Sequence, residues 1–583
     1  MGTITFPETL SISWLAEHYR SHGLTPREVV EEIIRRALSD LEMNIWITAP
    51  SLEWLEPYLE GLQGLDPEKT PLWGIPFAIK DNIDLAGIPT TAACPDFSFT
   101  PGEHASVVGR LIAAGAIPMG KTNLDQFATG LVGTRSPHGE THNSLKPELI
   151  SGGSSGGSAV AVARGQAVFS LGTDTAGSGR VPAALNRLVG YKPSLGAWPT
   201  RGVVPACASL DCVTVFATEL EDALAVDRVV RGVDSEDPWS RDVQRSDSKL
   251  PKTLLLPDQT PEFYGPYSEL YRQAWLKAVQ TLEKLGIQVK YIETTLFAEA
   301  AAVLYDGPMV AERWADLGGF VESHPGQVFP VTETILRSGS QPKYTAGAVF
   351  QAMHKLQALK LEAGKLLKDA VLVMPTCGGT WSRDQVRDNP IATNSDMGRY
   401  TNHCNLLDLS AVAIPAGDAG VDLPFGITLF GLADSEELIC GAAELFHSKV
   451  PNPSKSEDQV LLAVCGLHMR GFPFESQMLA CGASFLYESA TAAQYRMVRL
   501  EGAVPKPGLL KVLQGGAALS LEVWTMPAAS FGEFVASIPA PLGIGKITLK
   551  DGSEISGFLC ESYAAEKAED ITALGGWRQV VLD

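Results

Sequence analysis

Apolar positions over roughly the first 450 residues alternate between helical and extended spacing. Near the start, Thr25, Pro26 and Glu28 form a capping-box pattern ahead of VVEEIIRRAL, which predicts a helix. In the middle of this region the pattern predicts a strand at 253–256, a helix at 268–285 that Gly286 ends, and strands at 287–291 and 371–374. Strands that alternate with helices in this way predict an α/β fold, with a sheet covered by helices.

The pattern changes near residue 450. VPNPSKSEDQ (450–459) is polar and rich in proline, which is typical of a linker between domains. Beyond it lie short apolar pieces separated by Gly and Pro turns: LLAVCGLHMRG, LSLEVWTMP, GKITLKDGSEISGFL and QVVLD. We therefore predict a large domain over 1–449, a linker over 450–459, and a small β-rich domain over 460–583.

Charge and composition narrow the classes of function. Acidic residues outnumber basic ones and the net charge is −21, which disfavours a nucleic-acid partner. Nine dispersed cysteines without a C-x-x-C pair suggest neither a disulfide framework nor a zinc site. The N-terminus lacks a signal-peptide pattern, and no apolar run reaches the roughly 18 residues of a membrane helix. We expect a soluble cytoplasmic protein without a membrane partner.

One lysine and two serines stand in surroundings that suit nucleophilic catalysis. Lys80 follows the apolar segment GIPFAI, and burial there would lower its pKa towards the neutral amine that a base requires. Ser154 lies between two Gly-Gly pairs, and Ser178 follows Thr-Ala-Gly in a second glycine-rich loop. Such a set can hydrolyse an amide with no metal and no cofactor, because lysine replaces histidine as the base.

Other interpretations of these segments are possible. A glycine-serine loop is usually a turn, and a lone lysine is usually a surface group. The segment 115–122 fits the phosphate-loop pattern G-x-x-x-x-G-K-[ST], but its Ala-Ile-Pro-Met portion itself predicts a strand. Residues 152–156 fit G-x-S-x-G, but KPELI before them is a poor nucleophile-elbow strand. We favour neither motif.

Taken together, the two loops resemble the amidase signature family. The chain has GGSSGGS at 152–158, GTDTAGSGR at 172–180, and Lys80 in a K-D-N segment. The resemblance spans about residues 10–445 and implies a mixed central sheet covered by helices. It departs from the common motif at Ala176, where many members have glycine.

The resemblance also implies a role for each matching residue. Ser178 would be the nucleophile, and Ser154, on a cis peptide, would relay protons between Ser178 and Lys80. Backbone N–H groups of Thr175, Ala176, Gly177 and Ser178 would form the oxyanion hole. Asp174 and Arg180 would brace the loop.

The C-terminal segments are similar to the C-terminal domain of the allophanate hydrolase family, with a γ-glutamyl cyclotransferase-like fold. That resemblance implies hydrolysis of allophanate, a small anion, in ATP-dependent urea degradation. Gly130, Tyr305 and Arg313 would bind the substrate, since an arginine fork matches a carboxylate. Tyr305 and Arg313 are eight residues apart, and helical spacing would place them near one face. His468 is a candidate base in the second domain, although such a histidine is more often structural.

Two alternatives remain open from the sequence. The chain could be another amidase, such as the glutaminase subunit of a tRNA-dependent amidotransferase. Its C-terminal domain could instead be a non-catalytic assembly module, for example one that docks a urea carboxylase. The resemblance further implies a homodimer.

Overall fold

The structure is a computed structural model, and it describes residues 6–21, 23–305, 307–449, 459–502, 504–550, 552–566 and 568–580; the side chains of residues 305, 459 and 529 are not described. The chain divides into two compact units, Met1–Ser454 and Lys455–Asp583. Residues 450–458 of the predicted linker lie outside the described part, so the exact domain boundaries stay a prediction.

The first unit is built on one large mixed sheet. Its strands are β1 (Trp46–Thr48), β2 (Pro76–Lys80), β3 (Ile117–Thr122), β4 (Phe169–Asp174), β5 (Val189–Lys192), β6 (Cys212–Ala217), β7 (Thr253–Pro257), β8 (Gln288–Ile292), β9 (Ala370–Pro375), β10 (Leu409–Gly420) and β11 (Leu423–Leu432). They run in the order β1-β3-β2-β4-β6-β5-β10-β11-β9-β7-β8. Parallel pairs such as β2–β3 and β7–β8 stand beside antiparallel pairs such as β10–β11, so the sheet is mixed, as expected.

Helices pack around this sheet. They are α1 (Ile12–Arg20), α2 (Pro26–Ser39), α3 (Leu52–Gly61), α4 (Ser106–Ala113), α5 (Gly156–Ala163), α6 (Val181–Leu185), α7 (Leu220–Val230), α8 (Ser268–Glu283), α9 (Thr295–Tyr305), α10 (Val310–Ser323), α11 (Pro330–Ser338), α12 (Ala346–Leu366), α13 (Arg383–Asp388), α14 (Ala392–Gly398), α15 (His403–Leu406) and α16 (Glu436–His447). Both bonds of the predicted Thr25–Glu28 capping box are present. No helix in the described part of the chain is long and apolar enough to cross a bilayer.

The sheet brings the loop that contains Ser178 to the lysine. Strands β2 and β4 are parallel neighbours, with Phe77 paired with Phe169 and Ile79 with Leu171. Carboxyl ends of parallel strands meet at the same edge of a sheet. Lys80 ends β2 and Asp174 ends β4, so Lys80 and the loop after Asp174 reach the same place.

The second unit is rich in strands, as the sequence predicts. It contains β12 (Gln459–Val464), β13 (Ser484–Ala490), β14 (Tyr495–Leu500), β15 (Lys506–Lys511), β16 (Ser520–Pro527), β17 (Leu542–Thr548), β18 (Glu554–Cys560), β19 (Glu569–Asp570), α17 (Glu475–Ala480), α18 (Ala528–Ala536) and α19 (Ser562–Ala565). A five-stranded sheet has the order β13-β16-β12-β18-β17, and a three-stranded sheet has β15-β14-β19.

The prediction of a final strand in QVVLD (579–583) is wrong for the residues that the structure describes. Gln579 ends a 3₁₀ turn, Trp577–Gln579, and Val580 belongs to no strand; residues 581–583 lie outside the described part. The adjacent Trp577 is 1% exposed and packs in the core of this unit. Burial of this large ring favours a turn here over continued extension of the chain.

Candidate active site

Lys80 lies at the centre of the site and is completely buried. Its Nζ is 2.7 Å from Ser154 Oγ and 2.8 Å from Thr173 Oγ1. Burial lowers the pKa of Lys80 to about 7, although the carboxylates of Asp125, Asp211 and Asp174 oppose this shift. The amine is therefore substantially neutral near pH 7, which is the state that can accept a proton.

Ser154 is fixed by its own backbone and by Asp125. The Gly153–Ser154 peptide bond is cis, as the resemblance implies. The Asp125 N–H donates to the Ser154 carbonyl at 3.0 Å. A Cβ at Gly153 would lie 2.1 Å from Asp125 Oδ2, so only glycine fits beside this carboxylate. Helix α5 begins at Gly156, immediately after Ser154 and Ser155.

Ser178 lies in the loop after β4, and Asp174 shapes this loop. Arg180 donates to both carboxylate oxygens of Asp174 at 2.9 Å, in a pair that is fully buried. Burial alone would raise the pKa of Asp174, but the Arg180 guanidinium outweighs it and the net pKa lies below its ordinary value. The N–H groups of Gly177 and Gly179 also donate to this carboxylate, at 2.9 and 3.0 Å. Asp174 and Arg180 thus brace the loop, as the resemblance implies.

The Gly177 contact corrects one predicted role. Because the Gly177 N–H already donates to Asp174, it is not available to an oxyanion in this arrangement. The proposed oxyanion donors are therefore the N–H groups of Thr175, Ala176 and Ser178. Ser178 is only 3% exposed, so charge that develops beside it is shielded from water.

Arg313 lies beside the segment that contains Gly130, the second predicted substrate-binding residue. Arg313 is 1% exposed, so its guanidinium group is not a surface charge. Its Nη1 donates to Thr129 Oγ1 at 2.8 Å, and Thr129 precedes Gly130. A Cβ at Gly130 would lie 2.4 Å from Asp125 Oδ2. Asp125 therefore packs against both Gly130 and Gly153, and it connects the segment beside Arg313, the predicted substrate anchor, to the loop that contains Ser154.

The expectation that Tyr305 and Arg313 share one helical face is wrong. Tyr305 ends α9, whereas Arg313 lies in the first turn of the next helix, α10, which begins at Val310. Gly307 and Pro308 separate the two helices, and proline disfavours a helical residue before it. The side chain of Tyr305 lies outside the described part, so its role in substrate binding stays a prediction.

The segment that fits a phosphate loop does not form one. Its residues build strand β3, and Lys121 is completely buried. Lys121 Nζ pairs with Asp81 Oδ1 at 3.1 Å. Because Lys121 is buried and paired with a carboxylate, its amine cannot contact a phosphate. The segment is therefore a strand of the sheet and not a phosphate-binding loop.

Three contributing residues were missed by the sequence analysis. Thr173 belongs to the matched GTD motif but had no role there, and it contacts the Lys80 amine. Asp125 and Asp211 are single acidic residues in segments with no recognisable motif, and only the fold brings them to the site. In the described part of the chain, no group of three or more His, Cys, Asp and Glu side chains is arranged to hold a metal ion.

His468 lines a separate cavity of about 180 Å³ in the second unit. Its Nε2 is 3.2 Å from Gln477 Oε1, and its ring stacks on Phe558 with 5.0 Å between centroids. Lys506 lines the same cavity. Burial lowers the pKa of His468, the hydrogen bond to Gln477 acts in the other direction, and the nearby Lys506 charge lowers the pKa further; the net shift favours the neutral imidazole.

Two family models match the chain. The model of the family described as Amidase matches residues 28–440, and that of the Allophanate hydrolase C-terminal domain matches residues 460–582. The chain belongs to the amidase family. It is an amidohydrolase of that family with a second, β-rich domain.

Individual relatives match over different shares of their length. Urea amidolyase from Saccharomyces cerevisiae is 38% identical over 97% of this chain and 32% of its own length. This chain spans about a third of the length of that relative and of the Lachancea kluyveri urea amidolyase. The structure of Kluyveromyces lactis allophanate hydrolase is 39% identical, with a TM-score of 0.72 and 98% of each chain covered. A glutamyl-tRNA(Gln) amidotransferase subunit from Cyanothece sp. is 33% identical over 65% of this chain and 85% of its own length.

Proposed function

We propose that this chain hydrolyses the terminal amide of allophanate to ammonia and N-carboxycarbamate. The observation that carries the proposal is the fully buried Lys80 amine at 2.7 Å from Ser154 Oγ, and the burial that lowers its pKa to about 7 favours its action as a base. The similarity to K. lactis allophanate hydrolase over 98% of both chains supports the choice of substrate. The buried Arg313 beside Gly130 supports an anionic substrate, because a guanidinium pairs with a carboxylate.

We propose the following order of proton transfers. Ser178 Oγ attacks the amide carbonyl while its proton passes to Ser154, whose own proton passes to Lys80. The N–H groups of Thr175, Ala176 and Ser178 stabilise the oxyanion. The protonated lysine returns a proton through Ser154 to the amide nitrogen, and ammonia leaves. Water then attacks the carbamoyl ester by the same route, which frees Ser178 and releases N-carboxycarbamate.

We propose that the second domain assists the breakdown of N-carboxycarbamate to carbon dioxide and ammonia. His468 is the candidate base, and its neutral ring in a cavity of about 180 Å³ supports that role. Lys506, which lines the cavity, supplies a positive charge suited to a carboxylate. A purely structural or assembly role for this domain is the alternative that the test of His468 addresses.

The metabolic setting is also a proposal. The chain spans about a third of two urea amidolyases, whose name states that they act on urea. A urea carboxylase would supply allophanate from urea, either as a separate partner or in a longer chain. The family resemblance supports a homodimer, and it supports a cytoplasmic location.

The glutaminase subunit of a tRNA-dependent amidotransferase is the second candidate. The amidotransferase relative from Cyanothece sp. matches 65% of this chain. The separate match of residues 460–582 to the allophanate hydrolase C-terminal domain favours the first proposal.

An ammonia-release assay on allophanate, glutamine and a simple aliphatic amide distinguishes the two candidates. The proposal predicts a much higher kcat/KM on allophanate, and no turnover by the Ser178→Ala variant on any of the three. Preference for glutamine would favour the amidotransferase interpretation, and an active Ser178→Ala enzyme would exclude Ser178 as nucleophile.

A further inference from the structure

Asp211 contacts the loop after β4 that contains Thr175, Ala176 and Ser178, which we call the oxyanion loop, although Asp211 belongs to none of the catalytic motifs. The hydroxyl of Thr175 donates to Asp211 Oδ1. The N–H groups of Ala206 and Cys207 donate to Asp211 Oδ2 at 2.7 and 3.1 Å. Asp211 is 8% exposed, so these contacts are made largely away from water. Both oxygens of the carboxylate are therefore engaged, and one of them holds the side chain of Thr175.

The segment that ends at Asp211 is fixed at a second point. The N–H and the hydroxyl of Ser209 donate to the two carboxylate oxygens of Glu312, at 2.8 and 2.7 Å. Glu312 precedes Arg313 in α10. The segment 205–211, which we call the clasp, therefore joins the helix of the substrate anchor to the oxyanion loop.

Asn405 strengthens the attachment of the clasp to the end of β4. Its Nδ2 donates to the carbonyl of Asp174 at 2.7 Å and to the carbonyl of Leu210 at 2.8 Å. Leu210 precedes Asp211, and Asp174 precedes Thr175. The two segments are thus held together at adjacent positions, by the Asn405 amide between their backbone carbonyls and by the Thr175–Asp211 side-chain bond.

Asp211 cannot itself stabilise the oxyanion, because both groups are negative. Burial raises the pKa of Asp211 to about 6, while the Thr175 hydroxyl, the Ala206 N–H and the charge of Arg313 act in the other direction. The carboxylate is therefore mostly ionised at pH 7 and adds an unfavourable field at the oxyanion. Its benefit to the reaction must come from geometry.

We propose that Asp211 is a positioning residue for amide hydrolysis. Through the Thr175 hydroxyl it holds the loop so that the N–H groups of Thr175, Ala176 and Ser178 point at the developing oxyanion. Such donors act over a narrow range of distances, and loss of one costs about 10²–10³ in kcat. A loop that keeps its donors but loses its alignment should lose less. This inference rests on the proposed function.

The test compares two substitutions of Thr175 on allophanate. Thr175→Val removes the hydroxyl and keeps the shape, and it should lower kcat by about 10- to 100-fold with little change in KM. Thr175→Ser keeps the hydroxyl and should restore most of kcat. Thr332→Val is the matched control, because Thr332 is buried in α11 and its hydroxyl has no partner in the described residues.

The Asp211→Ala variant and the Thr175→Val/Asp211→Ala double variant complete the cycle. The kcat of the double variant should be only slightly lower than that of the less active single variant, because both substitutions remove the hydrogen bond between Thr175 and Asp211. Independent effects that multiply would overturn the proposal. It would also be overturned if Thr175→Val behaved like the Thr332 control, or if Thr175→Ser lost as much kcat as Thr175→Val.

Failure of the proposed function would give different activities from failure of this inference alone. If the wild-type enzyme did not release ammonia from allophanate, or if Ser178→Ala remained active, the proposed function would fail, and this inference would fail with it. If the wild-type enzyme is active, Ser178→Ala is inactive and Thr175→Val is normal, only the role of Asp211 is excluded. Thermal unfolding of each variant verifies that the measured enzyme is folded.

Discussion

The Lys80 amine lies 2.8 Å from the Thr173 hydroxyl oxygen and donates a hydrogen bond to it. A neutral primary amine has two N–H groups and one lone pair, so this bond restricts how the amine can turn. With one N–H directed at Thr173, the lone pair can face Ser154 Oγ, 2.7 Å away. The hydrogen bond to Thr173 therefore orients the buried Lys80 amine. A third group orients the catalytic base in the same way at other nucleophilic sites.

Replacement of Lys80 distinguishes a base from a positive charge. Arginine keeps the charge but stays protonated in proteins, so Lys80→Arg should lower kcat about as severely as Lys80→Met, by roughly 10³-fold or more. Steady-state ammonia release measures both variants. Substantial activity in Lys80→Arg would indicate that the lysine acts through its charge. Thermal unfolding curves would show whether either variant has lost the fold.

Removal of the Arg313 charge should affect anionic substrates selectively. Arg313→Met should raise KM for allophanate by roughly 10- to 100-fold, since a hydrogen bond to a charged group contributes about 1.5–3 kcal/mol. Biuret carries an amide where allophanate has its carboxylate, so its kcat/KM should change by only a few-fold. An equal loss on both substrates would mean that Arg313 supports the fold and does not bind the carboxylate.

The second domain can be tested while the first remains active. In His468→Ala, ammonia from the amide should appear at the wild-type rate, while carbon dioxide and the second ammonia should lag behind it. Gln477→Leu removes the partner of the His468 ring and should give a weaker lag. Simultaneous release of all products in His468→Ala, at the wild-type rate, would favour a structural or assembly role for the domain.

The sequence predicts those parts of the molecule that depend on local pattern. The α2 capping box, strand β7 and helix α8 lie within two residues of their predicted limits, because spacing and caps are local signals. The terminal strand was predicted wrongly because burial of Trp577, a tertiary effect, decides the conformation there.

The candidate site also contains residues that local pattern predicts and residues that only the tertiary structure brings together. Lys80, Ser154 and Ser178 stand in glycine-rich or apolar segments whose chemistry can be read directly. Asp211 is 36 residues from Thr175, and the two meet only because β6 pairs with β4 in an antiparallel register. Contacts that depend on strand order could not be predicted from spacing. The helix break between Tyr305 and Arg313, in contrast, follows a local signal, the intervening Pro308, which the spacing argument did not take into account.

The most direct test of the central claim is the pH dependence of kcat/KM on allophanate. Neutral Lys80 is the active form, so kcat/KM should be constant above the pKa of about 7 and should fall about tenfold for each pH unit below it. An acidic limb with an apparent pKa near 7 is the result that this account predicts. A profile that stays flat down to pH 5 in the folded enzyme would contradict it, because Lys80 would then be fully protonated and unable to accept a proton.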